Sequence, residues 1–554
     1  MPDSVKMPEY DLAVTTDHGG SSHHTHGSAF ELFRNGEGSA FVDMDVNGHR
    51  ETHSVSSKAF RHWLTLKGFD HTGKVPAAAE LKRQTELLQA KAVEQETPVR
   101  EVYVRAAVAD SSIYIDLADN SWSAVEINAD GWRTIQSPPV RFSRVPGMRP
   151  LPMPQSGGSS IETLRTLVNV RDENDFVLVI AWLLNALHNK GHHPPLVLSG
   201  AEGNAKSTLV AILRALVDPR CTPLGGLPRT ERELAILASQ GYLLAFDNVS
   251  ALSILMSNAL CRLSTGGGAR PIILNGIDDV VTRPDLADRC LFVTCDSIPD
   301  ERRRSEGQLW AEFENAHAQI FGLLLDALSH GLRMLPGTQL DRLPRMADFA
   351  LWATACEGAF WPQGTFSVAY RSSAAEAVEK LIGADPVASA VRQLATNRQT
   401  WKGTASELDN YLRALTGNLD FTEAWPSDSA RLAVRLRQLA PSLNKVGIEV
   451  DFTKSGHNRT RLITITARTG GPEAPTSDEV LAPTQPKSPS APSAADHEKF
   501  KTTAEHSLVP ATATDAFQHT AASAPVVEGE PSSDADGADG EDGTDNKFLV
   551  ATQS

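Results

Sequence analysis

Gly200-Ala-Glu-Gly-Asn-Ala-Lys-Ser-Thr208 is the stretch on which the reading of the fold turns. The apolar run Pro195-Leu-Val-Leu-Ser199 before it reads as a short buried strand, and Leu209-Val-Ala-Ile-Leu-Arg-Ala-Leu216 after it as a helix. Strand, Gly-rich turn, Lys-Ser and helix in this order make a phosphate-binding P-loop. The turn bares backbone N–H groups, the helix start adds the positive end of its dipole, and Lys206 adds a full charge. The nucleotide-binding residues expected are Gly200, Ala201, Glu202, Gly203, Asn204, Ala205, Lys206, Ser207 and Thr208. One position departs from G-x-x-x-x-G-K-[ST]: Ala205 stands where the second glycine is usual, and that place normally needs backbone freedom.

Outward from the loop, a P-loop requires a metal-holding acid at the end of a neighbouring strand. Tyr242-Leu-Leu-Ala-Phe246 reads as that strand, and Asp247 ends it, positioned to hold Mg²⁺ together with the Ser207 hydroxyl. Asn248 stands where a Glu would orient water; an amide orients water but is a poor base, which points to slow turnover. A further apolar strand, Pro271-Ile-Ile-Leu274, ends in Asn275, placed to sense a γ-phosphate. Thr282-Arg-Pro-Asp-Leu-Ala-Asp-Arg289 then precedes the strand Leu291-Phe-Val-Thr294. Arg289 first, and Arg283 second, are set to reach a neighbouring subunit's phosphate; the bland alternative is a local salt bridge with Asp285 or Asp288.

With 554 residues, 41% of them hydrophobic, the chain has material for roughly three folded units. No apolar run is long enough for a membrane helix, and the polar start carries no signal-peptide pattern, so the expected location is cytoplasmic. Five cysteines without a CxxC pair suit a reducing compartment and no structural zinc. The net charge of -16 is unevenly placed: from Arg468 on there are 15 acidic and 5 basic residues, whereas 386–467 hold 11 basic and 7 acidic ones. Whole-chain charge is therefore a poor guide to partners.

Along the chain, residues 1–27 read as a disordered tail; its His23, His24 and His26 lack accompanying ligands and read as solvated. Residues 28–150 read as a mixed α+β domain. Its strands are expected at Ala40–Val46, Val102–Val108, Ile113–Leu117 and Ala124–Ile127, and its helices at Ser57–Lys67 and Ala77–Ala92. Asp43-x-Asp45 with His49 has the spacing of primase metal acids, but alternate strand positions often carry solvent-facing Asp, which is the preferred reading. Residues 151–383 read as an α/β ATPase domain with a helical extension. In 384–467, helices are expected at 387–396, 404–415 and 428–440, followed by a hairpin over Gly447–Phe452 and Arg461–Thr466. Three helices then a hairpin is the order of a winged-helix domain. Arg431 and Arg435 share a helix face, with Arg437 off it, while Lys454, His457, Arg459 and Arg461 decorate the wing; this layout suits DNA. Residues 468–554 read as a disordered acidic tail, strongest over Glu528–Asp545, either solubilising or recruiting a basic partner.

GAEGNAKST, LLAFDNVSALS, LCRLSTGGG, RPIILNGI and RPDLADR, in this order, strongly resemble ATP-binding proteins of phages and integrated elements in actinobacteria. Those proteins are similar to AAA+ ATPases related to superfamily-three helicases, which accompany replication primases. The resemblance extends over roughly residues 28–467, and Ala205 is usual within it. It implies ATP and Mg²⁺ binding, assembly into a homo-oligomeric ring, and work on single-stranded or forked DNA beside a primase or other replication proteins. In one place the chain departs from it. Only Asn248 to Arg270 lies between the Asp247 and Asn275 strands, and a helix over Leu252–Leu263 uses half of that. A shortened pore loop and weakened translocation are expected. The rival readings are a nucleotide-switched initiator with little hydrolysis, favoured by Asn248, and a small-molecule kinase, disfavoured by Asn275, Arg289 and the C-terminal unit.

Overall fold

The computed structural model describes residues 30–468, apart from residues 95, 158–159, 267, 278–279, 417–424 and 456–459. The expected tails (with His23, His24 and His26) and the hairpin tip carrying His457 and Arg459 lie outside the described residues. The chain divides into residues 1–476 and 477–554, and only the first unit contains described residues.

The first elements are strands β1 (Phe30–Arg34), β2 (Ala40–Val46) and β3 (His49–Ser54), paired antiparallel in that order. The Ser57 side chain accepts the Phe60 N–H and starts helix α1 (Lys58–Thr72); α2 (Ala78–Ala92) follows. Leu32, Val42, Met44, Phe60 and Leu88 form a small core of their own. Asp43 is buried and accepts from Thr52 Oγ1 at 2.6 Å and Arg141 Nε at 2.9 Å, while Asp45 faces solvent. The solvent-facing reading therefore holds for Asp45 alone, since Thr52 and Arg141 take the buried Asp43 carboxylate, and no metal-holding cluster exists among the described residues.

Next come β4 (Val102–Tyr103), β5 (Ala106–Ala109), β6 (Ser112–Asp116), β7 (Ala124–Asn128), β8 (Gly131–Ile135) and β9 (Arg141–Phe142). β5 to β8 form an antiparallel meander, and β4 pairs parallel with β9. The single strand expected over Val102–Val108 is broken because Arg105 turns fully inward. Its Nε meets Asp218 Oδ1 at 3.2 Å, and its other nitrogens donate to the Asp116 and Arg149 carbonyls. A buried guanidinium must find such partners.

Helices α3 (Ile161–Arg165) and α4 (Glu173–His188) lead into the main core. α4 is apolar all round and accordingly buried all round. Then follow β10 (Leu196–Ser199), α5 (Lys206–Val217), α6 (Glu231–Gln240), β11 (Leu244–Phe246), α7 (Ile254–Thr265), β12 (Ile272–Asn275), α8 (Pro284–Ala287) and β13 (Leu291–Thr294). The four strands are parallel in the order β11-β12-β10-β13. A parallel sheet needs cover on both faces, which is why its strands are apolar runs. The strand expected from Tyr242 begins at Leu244, because the Leu243 N–H goes to Asp218 Oδ2 at 3.4 Å. Helices α9 (Glu306–Met334), α10 (Ala347–Glu357) and α11 (Thr365–Ala384) complete the packing, and the buried face of the β5–β8 meander joins the same core. No described helix is long and apolar enough to cross a membrane.

The last elements are α12 (Pro386–Asn397), β14 (Thr400–Gly403), α13 (Ala405–Leu415), α14 (Ser429–Lys445), β15 (Ile448–Ser455) and β16 (Thr460–Ala467). The strands form an antiparallel sheet ordered β14-β16-β15 over a core that includes Leu394, Trp401, Leu408, Leu436, Ile463 and Ile465.

Three buried histidines set the acid limit of this fold. Burial lowers His188 and His193 to about 3 and His317 to about 4. In the unfolded chain they titrate near the usual value of about 6.5, so below that pH the unfolded chain binds more protons and stability falls. Asp175, raised by burial to about 6, acts in the opposite sense below that value, one group against three. Denaturant unfolding at pH 5 should therefore give a stability lower by at least about 3 kcal/mol than at pH 7.5; equal stabilities would contradict this.

Candidate functional site

Register brings the site together. Leu198 lies beside Asn275 and Phe246 beside Leu274, so β10, β12 and β11 end at one edge of the sheet. The chain leaves β10 into the loop, while Asp247 and Asn275 stand side by side. Gly200, at φ +144°, is the tight point. A Cβ there would drive into the Cys295 carbonyl oxygen just past β13. Asn204 Nδ2 donates to that same oxygen at 2.9 Å. Asn169 Nδ2 ties the loop from outside, donating to the Asn204 carbonyl at 3.0 Å and the Asp296 carbonyl at 2.6 Å. Asn169 carries no motif spacing, and nothing in the sequence marked it.

Ala205 sits in the left-handed region at φ 56° and caps α5 without a side-chain hydrogen bond. A residue with a Cβ pays of order 1 kcal/mol or more for that conformation. Lys206 is buried, and its Nζ donates to the Gly200 and Ala201 carbonyls, each at 2.8 Å. Loop and ammonium thus frame one cradle.

Ser207, Asp247 and Asn275 close a hydrogen-bonded triangle. Ser207 Oγ is 3.1 Å from both Asp247 carboxylate oxygens. Asn275 Nδ2 donates to Ser207 Oγ at 3.2 Å and to Asp247 Oδ1. Asn275 is buried, and its Oδ1 has no partner. A hydroxyl, a carboxylate and an orphaned amide oxygen are the hard donors that suit Mg²⁺, and the cradle above them suits polyphosphate. The residues present therefore fit a Mg²⁺–nucleotide complex. Asn248, exposed at φ 52°, turns its N–H back to Asp247 Oδ1 at 3.0 Å.

The two arginines are held locally within the chain. Arg283 forms a two-pronged pair with Asp285, both contacts at 3.1 Å. Arg289 donates to the Asp285 carbonyl, and its Nε has no partner. Asp288 points elsewhere, to Lys445 at 2.5 Å and Arg345 at 3.5 Å.

On the C-terminal unit, Arg431, Val434, Arg437 and Gln438 form the exposed face of α14. Arg437 lies on this face, where the sequence reading put it aside, and stacks over Phe452 of β15 at 4.4 Å. Arg435 is at its edge, clamped to Asp385 Oδ2 by Nε at 2.8 Å and a second nitrogen at 2.5 Å. Asp385 also caps α12, so Arg435 serves the packing of this unit. Lys454 and Arg461 are exposed and directly opposite across the β15–β16 pair. Like charges so placed destabilise a hairpin, a cost that an anionic ligand would offset.

Residues 161–378 match the family model of the actinomycete integrative conjugative element replication protein, and residues 387–484 match that of the AICE RepA C-terminal domain. No curated protein matches the chain significantly. Among solved structures, the SCCmec type IV Cch active helicase is similar at 11% identity and a TM-score of 0.41, over 79% of this chain and 93% of that one. The apo C-terminal region of NrS-1 is similar at 12% identity and a TM-score of 0.34, over 79% and 97%. A DNA polymerase III γ-subunit-related protein of Thermotoga maritima is similar at 14% identity and a TM-score of 0.18, over 48% and 98%.

The left-handed Ala205 yields a stability prediction. Ala205→Gly removes the Cβ conflict and should raise the unfolding free energy by about 1 kcal/mol. A denaturant titration checks this; an unchanged or lowered midpoint would mean the loop does not hold residue 205 left-handed.

Proposed function

The chain belongs to the replication proteins of actinomycete integrative conjugative elements, and we propose that within this family it is an ATP-hydrolysing, DNA-binding replication protein of helicase-like AAA+ type. The observation that carries the reading is the Ser207–Asp247–Asn275 triangle beneath the Lys206 cradle. In the reaction, Lys206 and the bared N–H groups bind and orient the β- and γ-phosphates. Ser207 and Asp247 would hold Mg²⁺, which when bound would supply neutralisation of phosphate charge. Asn275 and Asn248 orient water. Arg289, released from the Asp285 carbonyl, stabilises the developing charge on a neighbouring copy's nucleotide within a ring.

The C-terminal unit has the order helix, strand, helix, helix and hairpin, which we read as a winged helix. α14 enters the major groove with Arg431 and Arg437, and Lys454 and Arg461 meet phosphate from the wing. Asn248 favours a second reading, a nucleotide-switched initiator: an amide is a poor base, and tight ATP binding without turnover would identify that behaviour. A primase or another replication protein is the partner either reading calls for.

ATP hydrolysis by the purified chain, with and without single-stranded DNA, decides between them. The motor reading expects DNA-stimulated turnover that Lys206→Ala lowers by at least about 100-fold; turnover that survives the substitution would place the chemistry elsewhere. For the DNA face, replacing Lys454 and Arg461 together by alanine should flatten the slope of log affinity against log salt by roughly 1.8, the share of two phosphate contacts. An unchanged slope would reject this face.

A further inference from the structure

Asp288 lies between the two halves of the proposed activity and belongs to neither. It ends the one-turn helix α8 and immediately precedes Arg289. Its carboxylate receives two cations from distant parts of the chain. Lys445 Nζ, at the end of α14, meets Oδ1 at 2.5 Å. Arg345, just before α10, meets Oδ2 at 3.5 Å. The helix assigned to DNA and the turn carrying the assigned trans-acting arginine are therefore joined through one side chain. Consecutive Cα atoms are only about 3.8 Å apart, so a shift of Asp288 carries Arg289 with it.

A second route runs beside the first. α14 packs on α11 as well as on α8. α11 grips β13 through Ser373, whose Oγ accepts the Phe292 N–H and donates to the Phe292 carbonyl, both at 3.2 Å. β13 pairs with β10, the strand that feeds the phosphate loop. Arg289 is poised to move: one nitrogen rests on a backbone carbonyl and Nε has no partner.

We infer that Asp288 is a positioning residue, which clasps α14 through Lys445 and passes DNA occupancy of the C-terminal unit to Arg289, so that DNA sets the rate of ATP hydrolysis. The inference rests on the ATPase reading. Phosphate binding along α14 draws on Lys445, one of the two cations that hold Asp288, and loosening the clasp frees α8 to reorient. Because Lys445 and Asp288 are part-exposed, the coupling has the size of a surface ion pair, up to about fivefold in rate.

The test uses the full chain, a single-stranded and a duplex oligonucleotide, and two readouts: DNA affinity by fluorescence anisotropy and ATP turnover with and without DNA. Lys445→Ala, which opens the clasp without DNA, should raise basal turnover by up to about fivefold and reduce the further stimulation by DNA to match, while Lys445→Arg keeps both at the wild-type level. Asp288→Asn, which leaves the charge of Lys445 for DNA, should lose stimulation with DNA affinity held within about twofold. Wild-type stimulation that persists in both Lys445→Ala and Asp288→Asn overturns the clasp alone. Wild-type turnover that depends on Lys206 but does not respond to DNA overturns the clasp alone as well, whereas absence of any turnover in the wild-type chain overturns the clasp together with the ATPase reading.

Discussion

The register of β12 between β10 and β11 is the constraint on which the rest depends. The middle strand fixes where Asn275 emerges, and its neighbours fix where the phosphate loop and Asp247 emerge. A one-residue slip in a parallel ladder would turn a side chain to the opposite face and dissolve the triangle with Ser207. Register in turn is held by burial, since β10, β12 and β13 contribute Leu196, Leu198, Ile273, Leu291 and Val293 to one apolar core. The site is therefore a consequence of packing below it, and the polar contacts select among geometries that the core already permits.

Strain is stored at the edge of the sheet that carries the candidate site. Ala205 and Asn248 both lie at positive φ, one opening α5 and the other following Asp247. Non-glycine residues persist there only when their surroundings over-determine the backbone. Here the surroundings are the ties from Asn169 and Asn204 to the end of β13, together with the hydrogen bond that folds Asn248 back on Asp247. The buried triad of Arg105, Asp218 and the Asp116 carbonyl plays the matching role at the far end of α5, where it joins the meander to the half that carries the candidate site.

What could be read from the sequence was local in spacing. Gly200–Thr208, Asp247, Asn275 and the helices around 387–396, 404–415 and 428–440 follow from short patterns of apolar and polar residues, and each lies on an element close to the expected one. What could not be read is set by partners distant in sequence. β14 is four residues long and exists because it pairs with β16. Arg435 looked like a surface cation until Asp385 took its guanidinium. The break at Arg105 and the late start of β11 both trace to Asp218, whose two oxygens serve Arg105 and the Leu243 N–H. Arg437 was set aside by helical spacing from Arg431, and the exposed face of α14 proved wide enough to include both.

The central claim is that Ser207 and Asp247 together form the metal half of a nucleotide site. Calorimetric titration of ATP into the full chain, with and without Mg²⁺, addresses it directly when wild type is compared with Asp247→Asn. The account predicts that Mg²⁺ tightens binding to the wild-type chain. In Asp247→Asn that gain disappears, while metal-free binding through Lys206 and the loop N–H groups remains. An equal Mg²⁺ gain in both proteins would contradict it.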